Sequence, residues 1–427
     1  MAVACRPGTG RHPTGLLGTW PTPRFSVACH GGTPPVSRGL RVVIAPDSFG
    51  GALDSVGVAA AIATGWATVR PTDEVIRKPM ADGGEGTLAA VADALGDAAE
   101  RRTVETTDPL GRPISADWLL LDEGRGAFVE IAAASGLARL APEERTPENA
   151  LRASTRGTGD LVRAALDAGA ERVTIGLGGS ATTDGGSGLL RALGLGLVGS
   201  DGAELPDGGG ALAALDRIDA SGLDPRLAEV PLVVASDVTN PLLRSRGAAA
   251  TYGPQKGADP AAVEALDAAL ERYGRAIEAA TGRLVADLPG AGAAGGTTAG
   301  LLGFTRAVVR PGVEVVADLV GLAAALDAAD LVITGEGRAD EQTLQGKTAM
   351  GVATLARPRS TPVALLCGGL GPGAEALDAA MALSVVQPIV DRPMDLPTAI
   401  ADTERLLIAA AGRLARTVGI GLELARP

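Results

Sequence analysis

From Arg41 onward, short runs of β-branched residues alternate with longer Ala- and Leu-rich stretches of helical period. That rhythm predicts α/β architecture with largely parallel sheets. RVVIAP (41–46) reads as the first strand, and a helix capped by Asp54 or Ser55 follows to about Val69. DEVIRKPM (73–80) reads as the second strand and LAAVADAL (88–95) as the helix behind it. Further strand-to-helix units begin at RVTIGLGG (172–179), PLVVASD (231–237), DLVITGEG (330–337) and PVALLCGG (362–369). The stretch 101–131 breaks the rhythm, with three strand-like runs and no helix between them, which predicts an antiparallel or mixed sheet in a second domain. A helix over about 259–280 is expected to lead back to the first domain, so that 101–284 is an insertion between 41–100 and 285–427.

In parallel sheets ligands bind beyond the carboxyl ends of the strands, so the residues that follow each strand carry the functional signal. Five strand ends combine glycine with a carboxylate: DSFGG (47–51), ADGGEGT (81–87), GGSATTDGG (178–186), SDVTNP (236–241) and TGEGRADEQT (334–343). Glycine lets backbone N–H groups approach an anion, and Asp or Glu can hold Mg²⁺ or accept a proton. Any one such loop could be an ordinary turn; five at strand ends point to a phosphate and metal site.

Composition narrows the chemistry. Both histidines and two of the three cysteines fall in residues 1–40, an acid-free segment with four Arg, seven Gly and six Pro that reads as a disordered extension. The remainder has 34 Arg and Lys against 50 Asp and Glu, a formal charge of 34 − 50 = −16, and the chain holds nine aromatics. Such a surface repels nucleic acid and offers little to stack bases on. Without histidine the body cannot run a Ser-His-Asp triad or a His-ligated zinc site. No run of 18 apolar residues occurs, so no membrane span is expected. Cys367, within PVALLCGG, reads as a buried structural thiol, and the lack of a disulfide framework fits the cytoplasm.

Lysine usage adds a clue. The chain has 35 Arg but three Lys, namely Lys78, Lys256 and Lys347, the last two beside glycine. An ammonium is a compact point charge that reaches a phosphate without a planar fork. Two familiar patterns are weak. GLGGSA (176–181), with Asp201 about 20 residues on, has the form of a dinucleotide fingerprint and supports the alternative of an NAD-dependent oxidoreductase acting on a small hydroxy acid. Gly346-Lys347-Thr348 ends like a P-loop, but Glu341 stands where the first glycine should be, which excludes that motif.

Taken in order, APDSFGGAL (45–53), PMADGGEGT (79–87), EIAAASGL (130–137), IGLGGSATTDGGSG (175–188), SDVTNPL (236–242), GPQKGA (253–258), GAGAAGG (290–296) and ITGEGRADEQTLQGKT (333–348) resemble the type I bacterial glycerate kinase family, from about Val42 to the C-terminus. The resemblance implies two α/β domains, one Rossmann- or flavodoxin-like with a mostly parallel sheet and the other inserted. It also implies phosphoryl transfer from ATP, with Mg²⁺, to D-glycerate, giving 2-phosphoglycerate more commonly than 3-phosphoglycerate. One departure concerns the family's DSFKGS-like first motif, where this chain has Gly50 for the lysine and Ala52 for the serine. A lost charged hydrogen bond costs roughly 1.5–3 kcal/mol, which keeps a catalytically inactive glycerate-binding sensor as a further alternative.

Phosphoryl transfer asks for positioning, charge neutralisation and a base near the acceptor hydroxyl. On residue type and loop position, Asp184 is the leading candidate for base or metal ligand, with Asp82 and Asp237 behind it. Asp47, Glu85 and Glu336 are candidate Mg²⁺ ligands. Backbone amides at Gly178, Gly179 and Ser180, and around Gly335 and Gly337, are expected to cradle phosphates, with Lys347 and Lys256 as charge partners. Arg338, then Lys78, with Ser48, are the candidates to bind glycerate.

Overall fold

A computed structural model describes residues 39–345, 347–377 and 384–425. The extension 1–40 therefore lies, except for its last two residues, outside the described residues. The strands are β1 (Arg41–Ile44), β2 (Glu74–Arg77), β3 (Ala99–Thr107), β4 (Pro113–Leu121), β5 (Gly126–Glu130), β6 (Arg172–Gly176), β7 (Gly196–Gly199), β8 (Leu215–Asp219), β9 (Leu232–Ala235), β10 (Val308–Arg310), β11 (Leu331–Ala339), β12 (Val363–Leu370) and β13 (Ser384–Pro388).

The first sheet has the order β13-β12-β11-β1-β2, and every pairing in it is parallel. Counted along its own strands this is 2-1-3-4-5, the flavodoxin-like order, whose direction of winding reverses between β1 and β11. Alternate residues of β1 serve opposite faces. Val42 and Ile44 pack with the helices Ser55–Val69 and Thr403–Leu424, while Val43 and Ala45 pack with Gly312–Leu319 and Thr348–Ala356. A sheet covered on both sides needs such continuous apolar runs. The first helix starts as expected, the Asp54 side chain accepting from Gly57 N at 2.7 Å. It can lie close against Thr403–Leu424 because residue 65 is glycine; a Cβ there would stand 2.2 Å from the Ile408 carbonyl oxygen.

The second sheet runs β10-β9-β6-β5-β4-β3, with β5, β6, β9 and β10 parallel and β4 antiparallel to both neighbours. The three adjacent runs within 101–131 thus form the antiparallel margin of a mixed sheet, as the missing helices implied. β7 and β8 make a separate antiparallel pair.

The way back to the first sheet comes later than the sequence suggested. The helix Pro260–Thr281, expected to lead there, buries Leu270, Tyr273 and Ile277 in the core of the second sheet. Val285, Ala291 and Leu301 join the same core, and β10 pairs with β9, so residues 285–310 belong to the second layer. Three-residue β10 is too short to stand out as an apolar run, which is why the sequence placed the return near 285. Among the described residues no helix is long and apolar enough to cross a membrane.

Candidate active site

The winding of the first sheet reverses between β1 and β11, and there the chain builds a cleft of about 1310 Å³. Asp47 N donates to Gly335 O at 2.8 Å, carrying the β1–β11 pairing past the strand and holding Asp47 at the cleft floor. Its Oδ2 accepts from Thr348 Oγ1 at 2.6 Å and its Oδ1 from Ser48 N at 2.6 Å. Thr348 opens the helix Thr348–Ala356, so the helix start and the strand end are joined through this one carboxylate. Burial raises the Asp47 pKa, the bonds from Thr348 and Ser48 oppose the rise, and the neighbouring charge of Asp82 adds to it.

Glu336, on β11, is 7% exposed and also lines the cleft. Its Oε1 accepts from the buried Thr343 hydroxyl at 2.7 Å. Burial pushes its pKa up to about 7; the Thr343 bond and the Lys347 charge pull it down, while Asp47 and Asp340 push it up. A carboxyl held there is suited to accept a proton at neutral pH. Gly337, Arg338 and Lys347 line the same region, with Arg338 largely exposed and paired to Asp340 at 3.2 Å.

The facing wall comes from the loops after β2, β9 and β10. Asp237 accepts from Gly312 N at 2.9 Å; burial raises its pKa, and the charges of Asp82 and Glu314 add to the effect. Residue 312 must be glycine, since a Cβ would stand 1.7 Å from Asp82 O. Arg310 lines this end, paired to Asp318 at 2.8 Å and Glu314 at 3.8 Å. The cleft therefore gathers Asp47, Ser48, Asp82, Asp237, Glu336, Gly337, Arg338 and Lys347 from the residues singled out in the sequence.

Other candidates lie elsewhere. Asp184 is fully buried and accepts four hydrogen bonds, from Thr155 N and Oγ1 (both 2.8 Å), Gly186 N (3.1 Å) and Gly188 N (3.2 Å). Burial raises its pKa against the pull of those donors. Lys256, 3% exposed, donates to Ser180 Oγ at 2.9 Å and Thr182 O at 2.6 Å, and burial brings its pKa down to about 7 while Asp184 opposes the fall. These contacts fasten the glycine loop from within. The loop in turn backs the one that carries Asp82: Gly178 N donates to Gly83 O at 3.0 Å, and a Cβ on Gly178 would come within 2.2 Å of Gly84 Cα. Gly179 adopts a positive φ on the same loop. Gly335 is buried in β11 with its carbonyl already bonded to Asp47.

Lys78 is half-buried, donates to Ala94 O at 2.9 Å and has its pKa lowered by burial. Glu85 is exposed outside the cleft lining, near the buried Glu130. Glu130 Oε2 accepts from Leu88 N at 3.2 Å, at the start of the helix Thr87–Leu95, and burial lifts its pKa to about 7. Asp201, needed by the dinucleotide alternative, sits exposed between β7 and β8 and accepts from Ala203 N. Cys367 is a buried thiol whose pKa burial pushes up to about 12.

The sequence reading missed Thr343, Thr348, Arg310 and Gly312. Thr348 entered only as the tail of a failed P-loop and of the last motif, although a hydroxyl opening a helix was itself a signal for a carboxylate partner. Loops of glycine and acid look alike in sequence whether they face a cleft or another loop, and the structure places Asp184 outside the cleft lining, bonded to Thr155 and to its own loop. Among the described residues no group of three His, Cys, Asp or Glu is already arranged to hold a metal ion.

The sequence model of the glycerate kinase family matches residues 42–419. A glycerate kinase of Halalkalibacterium halodurans is 44% identical over 379 residues, covering 88% of this chain and 97% of that protein. A glycerate 2-kinase of Escherichia coli K12 is 44% identical over 331 residues, covering 78% of this chain and 86% of that protein. Among solved structures, a crystal structure from Salmonella typhimurium LT2 described as glycerate kinase 2 superposes with a TM-score of 0.79 at 42% identity, covering 90% of this chain and all of that one.

Proposed function

Because the chain belongs to the glycerate kinase family, and is a kinase by that membership, we propose that it transfers the γ-phosphoryl group of MgATP to the 2-hydroxyl of D-glycerate, in the cytoplasm. The observation that carries this reading is the meeting of Asp47, Glu336 and Lys347 at the point where the winding of the parallel sheet reverses. Open α/β sheets bind nucleotides at such a point. The preference for the 2-position draws on the Escherichia coli relative, described as a glycerate 2-kinase.

In the proposed arrangement Lys347 and the backbone around Gly337 receive the terminal phosphates, since a compact ammonium offsets charge there without dictating geometry. Glu336 takes the proton of the acceptor hydroxyl. Its raised pKa lets it do so near pH 7, and Thr343 holds its orientation. Glycerate lies toward Asp237 and Gly312, where Arg310, or Arg338 from the opposite side, supplies the cation for its carboxylate. Asp184 and Lys256 take no part in the chemistry and keep the glycine loop rigid behind Asp82.

The donor set suits Mg²⁺, being hard carboxylate oxygen without histidine or exposed thiol. Asp47 and Asp82 would hold it. Two carboxylates rather than a full cage fit an ion that keeps several waters and shares the phosphates of its nucleotide. When bound, Mg²⁺ supplies charge neutralisation on the phosphate oxygens. The two sheets, treated as two domains, close over the cleft and exclude water.

An assay with D-glycerate, ATP and Mg²⁺, coupled through enolase and pyruvate kinase, responds to 2-phosphoglycerate. Signal from the full chain supports both the activity and the position. ADP formation dependent on glycerate, without that signal, moves the product to the 3-phosphate, and no glycerate-dependent ADP at all defeats the reading in favour of the sensor.

A further inference from the structure

The cleft is far larger than a three-carbon acid requires, and its two ends differ in chemistry. Asp47, Glu336 and Lys347 mark one end, while the other is walled by Leu370, Ile389, Val390, Leu396, Ile400 and Leu406. Leu370, Leu396 and Ile400 are 55%, 71% and 38% exposed, so large apolar side chains stand open to water on a cleft wall. Such a wall marks a surface that an apolar group covers.

The sheet gives the distance between the ends. Glu336 lies opposite Cys367, and Cys367 opposite Pro388, so the ends of β1, β11, β12 and β13 stand side by side along one edge. Three strand spacings of roughly 4.8 Å separate the outer two by about 14 Å. That is the span of a nucleotide laid along the edge with its terminal phosphate at β1 and β11. We propose that the apolar end at β12 and β13 is the seat of the nucleobase, and that it holds the base by contact area rather than by reading its hydrogen-bonding edge. The inference rests on the kinase reading given above.

Two polar groups at this end are already bonded within the chain. Thr403 Oγ1 donates to Ala399 O at 2.9 Å and Ile389 N to Cys367 O at 2.8 Å. Aliphatic side chains bury a purine face but do not separate adenine from guanine. Gly369 gives a direct handle, since it lines the wall, its φ is ordinary, and a Cβ there meets nothing within 4 Å. A larger side chain at 369 therefore enters the seat without strain.

The test uses the full chain and its Gly369→Leu and Leu396→Asp variants, with kinetics in ATP, GTP and ITP and fluorescence binding of mant-ATP. Both variants are expected to raise KM for ATP at least tenfold and to weaken mant-ATP to the same degree. KM for D-glycerate and kcat should stay within threefold, and the parent chain should use the three purine nucleotides with kcat/KM values within tenfold of one another. An unchanged KM for ATP in both variants, or a preference for ATP over GTP and ITP above a hundredfold, overturns the inference. Its fate is separable from that of the kinase reading: mant-ATP binding weakened by Gly369→Leu in a chain that never phosphorylates glycerate leaves the seat standing and removes the activity.

Discussion

Thr343→Val isolates the group to which the account gives the proton. The Thr343 hydroxyl donates to Glu336 Oε1 at 2.7 Å in a fully buried setting. A hydrogen bond to a charged group contributes about 1.5–3 kcal/mol, and one pKa unit corresponds to about 1.36 kcal/mol. Losing the donor disfavours the carboxylate, so the Glu336 pKa, already pushed up to about 7, rises further by about one to two units. The sign is fixed, because the bond stabilises only the charged form. The assay is the pH dependence of kcat/KM for ATP, which reports groups titrating before nucleotide binds. The parent chain should show an ascending limb near pH 7, and Thr343→Val should move that limb toward alkaline pH. Thr343→Ser keeps a hydroxyl and should leave it in place. Thr343 Oγ1 also accepts from Asp340 N at 3.1 Å, so the valine variant loses about 1 kcal/mol of stability as well. That loss appears in a melt and cannot displace a titration. A limb unmoved by valine, or moved equally by serine, refutes the assignment of Glu336.

Three further outcomes are expected. Gly50→Lys restores the charge that the family's first motif carries; residue 50 lines the cleft, its Cβ would meet nothing within 4 Å, and kcat/KM should rise about ten- to a hundredfold, an unchanged value showing that no phosphate passes there. Asp184→Ala strands four buried donors and should cost at least about 3 kcal/mol in urea unfolding, with KM for both substrates in the folded enzyme within threefold; a stable but inactive variant would return Asp184 to the chemistry. Glu130 titrates at about 7 when folded against 4.5 ordinarily, so its contribution is fully present below pH 4.5 and is lost as pH rises through about 7, a difference of about 3 kcal/mol. Glu130→Gln should accordingly flatten the dependence of melting temperature on pH between 5 and 8, and an unaltered slope would count against a buried titrating carboxyl.

Much of the fold was legible because the parallel sheet is buried on both faces, which forces continuous apolar runs such as RVVI and LVIT that end abruptly in glycine and acid. The helix starts at Asp54 and Asp259 were equally plain, each side chain accepting from the third residue on. The short β10, and β7 with β8, lacked such runs and were missed, which moved the return to the first sheet some 25 residues too early. For the site, four of the five expected strand-end loops were found, while the fifth, TGEGRADEQT (334–343), runs on as β11 to Ala339, and the sequence did not show which of them face one another. Asp47, Asp82 and Asp237 come from three loops and Glu336 from strand β11, and they meet only through the sheet order, whereas Asp184 has the same local sequence character and spends its carboxylate on its own loop and on Thr155. The apolar wall was invisible because Leu370 ends β12, Ile389 follows β13 and Leu396 opens the helix Leu396–Ala401, with no shared motif.

The most direct measurement is a crystal structure of the full chain with D-glycerate, Mg²⁺ and a non-hydrolysable ATP analogue. The terminal phosphate should lie beside Lys347 and Gly337, the base against Leu370 and Ile400, and the acceptor hydroxyl within hydrogen-bond reach of Glu336. Phosphates seated instead on the Gly178 to Ser180 loop, with the cleft between Asp47 and Asp237 empty of substrate, would contradict it.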